Sequence, residues 1–161
     1  MQAMTSGSSD LVVRVAAETD VAALAELRAL WVAETEPEPN FPERMAAWMT
    51  AEGERRTTWL AFVDDRPVAM ASLFEYRRMP KPGQEDSRWG YVSNLFVCEG
   101  SRNRGIASAL LAEVTAAADE RFYARLVVSP SAEALSLFRH AGFVVPGETT
   151  DVLLVRPGAG R

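Results

Sequence analysis

The segment Leu95-Phe96-Val97-Cys98-Glu99-Gly100-Ser101-Arg102-Asn103-Arg104-Gly105-Ile106-Ala107-Ser108-Ala109-Leu110-Leu111-Ala112 decides the reading of the chain. It passes from a strand-like apolar run through a loop rich in Gly, Ser and Arg into a helix. The apolar helix positions Ile106, Leu110, Leu111 and Val114 form one stripe. A loop feeding a helix N-terminus offers unpaired backbone N–H groups and the positive end of the helix dipole, which together suit an anion such as a pyrophosphate. Gly105 lets a phosphate approach the backbone without a Cβ in the way, and Ala107 keeps the next turn slim. Arg102 and Arg104 add positive charge beside the anion. Two arginines at a helix N-terminus are unfavourable unless an anion joins them. The glycine spacing is neither that of a P-loop, which needs Gly-Lys-Ser/Thr, nor a Rossmann fingerprint.

Outward from this segment, the pattern alternates between strand and helix. Leu11–Val15 reads as a strand. From Thr19 or Asp20, both plausible N-caps, Val21, Leu24, Leu27, Leu30 and Trp31 recur at helical spacing to about Glu34. Pro37 and Pro39 break the chain before a second helical pattern, where Met45, Trp48 and Met49 share a face up to about Gly53. The stripe of Trp31, Met45 and Trp48 is expected in the core. Thr57–Val63 and Val68–Tyr76 are strand-like, and Asp64-Asp65-Arg66 between them is turn chemistry of hairpin length. Residues 77–88, with Pro80, Pro82, Gly83 and many charges, read as a long exposed loop before the strand Trp89–Val97. The helix of the opening segment runs from about Asn103 to Glu120, and the strand Arg125–Val128 follows it. Pro130 stops that strand, Ser131 caps a last helix with Glu133 in its first turn, and Gly142 closes it. Phe143–Val145 and Thr150–Val155 complete the expected strands. This order predicts one α/β domain over residues 10–157, with a mixed central sheet of about six to seven strands and helices on both faces. Residues 1–9 are expected to be disordered and residues 158–161 to form a flexible tail.

Composition narrows the function. The chain has 161 residues, enough for one substantial core. Seventeen basic against 22 acidic residues give a net charge of -5, which argues against broad binding to nucleic acid or an anionic membrane. The single cysteine, Cys98, forms no internal disulfide, and with one histidine no Cys/His metal cluster is assembled. No apolar run approaches a membrane span, and the polar start is unlike a signal peptide. A cytoplasmic protein, monomer or homodimer, needing no metal, is the expectation.

At Arg102, Gly105 and Ala107 the chain resembles the GNAT acetyltransferases, whose central motif is Arg or Gln, two residues, Gly, one residue, then Gly or Ala. The resemblance extends back through Tyr91-Val92-Ser93-Asn94-Leu95-Phe96-Val97 and forward through Ser108-Ala109-Leu110-Leu111. It recurs in Ser131 to Phe143, which ends in Ala141-Gly142-Phe143. It implies a fold in which the strands flanking the central helix splay apart, with the pantetheine arm of CoA lying in the gap. It further implies that backbone groups of Leu95, Phe96 and Val97 bind that arm, one N–H polarising the thioester carbonyl. Amides of Arg104, Gly105, Ile106, Ala107 and Ser108, with Arg102 and Asn103 in the same loop, would hold the pyrophosphate. Ser131 and Phe138 would line the opposite wall.

Two departures bear on the chemistry. Many members have Asn at the position of Ser131 and Tyr at that of Phe138, where the phenol protonates the departing thiolate. Phe138 has no proton to give, yet a thiol with pKa about 8.5 leaves tolerably as thiolate near neutral pH. An aliphatic amine must lose a proton before attack. Where histone-type members carry a strand glutamate for this, the chain has Tyr91. Glu75, at a strand end, is the first carboxylate candidate, and Ser93 and Asn94 holding a water are the alternative. His140, beside Arg139, reads as a surface residue, and Cys98 as a packed one. The acidic run Glu34-Thr35-Glu36-Pro37-Glu38 reads as a solvated connection, with attraction of a cationic amine as its functional alternative. Phe41 and Trp89 are the aromatics expected near an acceptor.

The resemblance therefore implies direct transfer of an acetyl group from acetyl-CoA to a primary amine, first of a small molecule. A protein or peptide amine is the alternative within that chemistry, and a non-catalytic acyl-CoA-binding regulatory module is the alternative outside it.

Overall fold

The computed structural model describes residues 10–33 and 38–147. The chain divides into two compact units, residues 1–129 and 130–161.

The first unit is built on a sheet of five strands in chain order: β1 (Leu11–Val15), β2 (Arg56–Val63), β3 (Arg66–Arg77), β4 (Arg88–Val97) and β5 (Leu126–Val128). The first four pair antiparallel, and β5 pairs parallel with β4 after the helical crossover α3 (Ile106–Glu120). The β2–β3 hairpin turns on Asp64 and Asp65, with φ of 49° and 61°, which small polar residues tolerate and the strand twist favours.

Alternation along the strands sorts residues onto two faces. On one, Leu60, Met70 and Phe96 pack with Leu24 and Leu27 of α1 (Val21–Trp31). Helix α2 (Phe41–Glu52) lies beside α1, with Met45 and Met49 against the same cluster. On the alternate positions Trp59, Ala61, Ala69, Ala71, Leu73 and Val92 are buried, and α3 packs on β2, β3 and β4 with Ile106, Leu110, Leu111 and Val114 buried. Small residues in the sheet there let the helix approach closely. A Cβ at Gly90 would stand 2.6–2.9 Å from side-chain atoms of Leu73, Leu126 and Tyr123, so any other residue where β4 meets β5 forces these side chains to shift.

Sequence and structure differ in four places. Five strands stand among the described residues where six to seven were expected. Residues 143–145 are not a strand, and Val144 and Val145 are exposed, since an extended run without a pairing partner makes no ladder. Thr150–Val155, with Glu34, Glu36 and Pro37, falls outside the described residues. The last helix, α4 (Leu135–His140), begins four residues after Ser131, whose Oγ accepts the Ala134 N–H at 3.4 Å in the preceding turn. Trp31 is exposed and stacks on Phe96 at 5.4 Å, and Trp48 lines a cavity, while Met45 packs against the core cluster as expected and also borders that cavity; an amphipathic stripe can face a cleft as readily as a core.

Candidate active site

Strand β4 carries the unusual geometry. Its pairing with β5 covers only Gly90, Tyr91 and Val92. From Ser93 to Val97 no described strand pairs on that side, so one edge of β4 is open in mid-sheet. Against β3, Ser93 faces Ser72 and Phe96 faces Met70, so three steps along β4 match two along β3. This is a β-bulge, and Asn94 sits in it with φ of 53°. A bulge swings the backbone out of the regular pleat and re-aims its N–H and C=O groups. Asparagine tolerates the left-handed region better than most residues.

The open edge runs toward the N-terminus of α3. A short 3-10 turn, Glu99–Ser101, buries Ser101, and the exposed loop Arg102–Gly105 follows. Gly105 occupies the N-cap with φ of 77°, and nothing lies within 4 Å of a Cβ built there. No side chain caps the helix and its first turn has no acidic residue, so the N–H groups of Ile106, Ala107 and Ser108 face outward with their dipole uncompensated. Asn103 also has positive φ, 58°, which bends the loop around the helix end. Arg102 donates from Nε to the Val97 carbonyl at 3.1 Å, tying the loop to the end of β4. Open backbone, a bare helix terminus and two arginines are the features a diphosphate fits.

On the α1 and α2 side of the sheet lies a cavity of about 780 Å³. Tyr91, Ser93 and Asn94 line it from β4, and Thr58, Ser72, Phe74 and Tyr76 from β2 and β3. Helices α1 and α2 contribute Arg28, Phe41, Arg44, Met45, Trp48 and Glu52. Its floor is polar: Thr58 and Ser72 share a hydrogen bond of 3.0 Å, and the Asn94 amide donates to Ser72 Oγ at 3.5 Å. Arg56 is the chief residue that sequence reading missed. Its guanidinium lies over Trp48 at 5.1 Å and Phe74 at 4.9 Å, donates to Glu52, and donates to Ser93 Oγ at 3.3 Å. Buried polar Thr58 and Ser72, in register with each other, were the signal available.

Glu75 does not line this cavity. It alternates with Phe74 and Tyr76 and is buried on the other side of β3. It accepts hydrogen bonds from Arg77 Nε at 2.7 Å, Tyr123 Oη at 2.8 Å and Arg88 at 3.3 Å. Burial pushes its pKa up, but these three donors together outweigh burial and hold the carboxyl below its ordinary range. Trp89 does not line the cavity itself but stacks at 4.3 Å on Tyr76, which does. Burial, reinforced by the charge of Glu26, raises the Cys98 pKa, which favours the packed thiol. His140 is exposed and its Nδ1 lies 2.7 Å from the Ser136 carbonyl.

In the second unit Ser131 is exposed, and Phe138 is buried on α4 with its ring edge-on to Phe143 at 5.3 Å. Among the described residues no group of His, Cys, Asp and Glu is arranged to hold a metal ion, and no helix is long and apolar enough to cross a membrane.

Residues 21–143 match the acetyltransferase (GNAT) family, and the chain belongs to it. Among curated protein sequences none matches significantly. Among solved structures, a predicted acetyltransferase from Clostridium acetobutylicum, solved with acetyl-CoA, superposes with a TM-score of 0.69 at 20% identity, over 89% of this chain and 96% of that one. An aminoglycoside N-acetyltransferase in complex with CoA gives 0.70 at 19% identity, over 96% and 99%. A ribosomal-protein-alanine N-acetyltransferase from Brucella melitensis gives 0.68 at 19%, over 92% and 100%. At these identities the likeness is one of fold.

Proposed function

We propose that the protein transfers an acetyl group from acetyl-CoA to a primary amine of a small molecule, by direct attack in a ternary complex. The observation that carries this is the open edge of β4. Its bulged backbone leads from the bare N-terminus of α3 to the cavity beside Ser93 and Asn94. A pantetheine arm laid along Leu95, Phe96 and Val97 would bring its thioester to the bulge while the pyrophosphate rests on the amides from Arg104 to Ser108. A β4 N–H would stabilise the developing oxyanion.

In the cavity the amine nitrogen attacks the thioester carbonyl carbon. The C–N bond forms, the C–S bond breaks, and the nitrogen gives up a proton. We assign that proton to a water held by Ser93 and Asn94, because both line the cavity whereas the Glu75 carboxylate is engaged by three donors outside it. Tyr91 walls the same end. The CoA sulfur leaves as thiolate and takes its proton from solvent, since Phe138 has none to give. The cavity volume of about 780 Å³ is of the size that holds a small acceptor, which is why a small amine is placed first.

A thiol-release assay with acetyl-CoA and a panel of small amines, peptides and protein N-termini tests this reading. Turnover with small amines is expected. CoA binding with no thiol release for any acceptor would favour a binding module.

A further inference from the structure

Resting on that reading, we propose that the acceptor is an amine that also carries an anionic group, a carboxylate or phosphate, read by Arg28. Three guanidiniums line the cavity, those of Arg28, Arg44 and Arg56, against one carboxylate, Glu52. The concentration is notable in a chain of net charge -5. Two of the three are already neutralised: Arg56 by Glu52, and Arg44 by Glu38, both of whose carboxylate oxygens it meets. Arg28 has no carboxylate partner among the described residues. Its guanidinium lies over the Trp31 ring at 4.7 Å, which orients the charge without cancelling it.

A half-buried guanidinium facing a cavity repels an acceptor whose only charge is an ammonium, and attracts one that brings its own anion. The planar fork of arginine suits two-point binding of a carboxylate or phosphate. Phe41, Trp48, Phe74 and Tyr76 supply aromatic wall for an apolar body between the two ends. The acceptor is then held by its anion at α1 and presents its amine to Ser93 and Asn94 on β4. A polyamine or other polycation is disfavoured.

Matched pairs test this: phenylalanine with phenethylamine and tryptophan with tryptamine for a carboxylate, glucosamine 6-phosphate with glucosamine for a phosphate. Each is measured twice, by thiol release from acetyl-CoA and by calorimetric binding to the CoA-loaded protein. At least one member that carries the anionic group is expected to exceed its partner lacking it tenfold or more in kcat/KM and in affinity. Which pair responds distinguishes carboxylate from phosphate. Arg28→Ala, shown folded by circular dichroism, should bring that preference below threefold, and Arg28→Lys should restore part of it. Binding preference without thiol release would uphold the charge assignment while removing acetyl transfer. Equal or better use of the members lacking the anionic group, a preference that survives Arg28→Ala, or silence of every probe in both readouts would overturn the proposal.

Discussion

Asn94 holds a left-handed backbone in mid-strand because the bulge requires it. A β-branched side chain there would be strained, so Asn94→Val should cost about 1–3 kcal/mol of stability, read by urea unfolding. It should also weaken acetyl-CoA binding, whereas Asn94→Gly should keep the bulge. At Glu75 the outcome separates two roles. If a water held by Ser93 and Asn94 takes the amine proton, Glu75→Gln should lower turnover by less than about tenfold, whereas loss of a direct base would cost about 100-fold. The depressed Glu75 pKa implies a stabilisation present at neutral pH and lost as pH falls through its folded-state value. Chemical unfolding of Glu75→Gln should therefore differ from wild type most at neutral pH and least in acid. Sequence reading chose Glu75 for its place at a strand end. Whether it faces the cavity depends on register, and a one-residue slip exchanges the faces of the sheet. Arg56 escaped for a similar reason: its chemistry lies in Glu52, Trp48, Phe74 and Ser93, which only the fold assembles.

The elements themselves were largely legible, because hydrophobic period and turn chemistry are local. The strands β1 to β5 and helices α1 to α3 fall within a few residues of their expected bounds. The start of α1 is tied to the chain before it: Asp20, the N-cap residue, makes no side-chain cap hydrogen bond to the helix and bonds backward instead. Asp20 accepts the Ala17 N–H at 2.7 Å and takes both forks of Arg14 at 2.7 and 2.8 Å. The Arg14 hydrogen bonds are the main cause of a carboxyl pKa held below the usual range, with burial opposing and the Ala17 N–H assisting. Asp20→Asn should cost about 1–2 kcal/mol at neutral pH, the scale of a charge-assisted hydrogen bond. Because the folded pKa is the lower one, this difference should persist above the ordinary aspartate range, about pH 4, and vanish as pH falls through the folded value. What was not legible is the fate of residues 143–145. Apolar composition suggested a strand, but a strand exists only through a partner, and Val144 and Val145 stay exposed.

At the scale of the molecule, the family and the position of its central motif were readable from Arg102, Gly105 and Ala107, and residues 21–143 match the acetyltransferase (GNAT) family. The charge of the cavity was not readable, because Arg28, Arg44 and Arg56 are spread over separate elements and meet only in the folded chain. The central proposal is that the bare N-terminus of α3 and the open edge of β4 bind acetyl-CoA. Calorimetric titration of acetyl-CoA into wild type and Gly105→Glu tests it most directly. Space around Gly105 leaves room for the larger side chain, although its left-handed φ adds strain, so circular dichroism and thermal unfolding should first establish that the variant is folded. The glutamate would then place a negative charge and a side chain where the diphosphate belongs, and binding should be lost. Near-wild-type acetyl-CoA affinity in a folded Gly105→Glu protein would contradict the account.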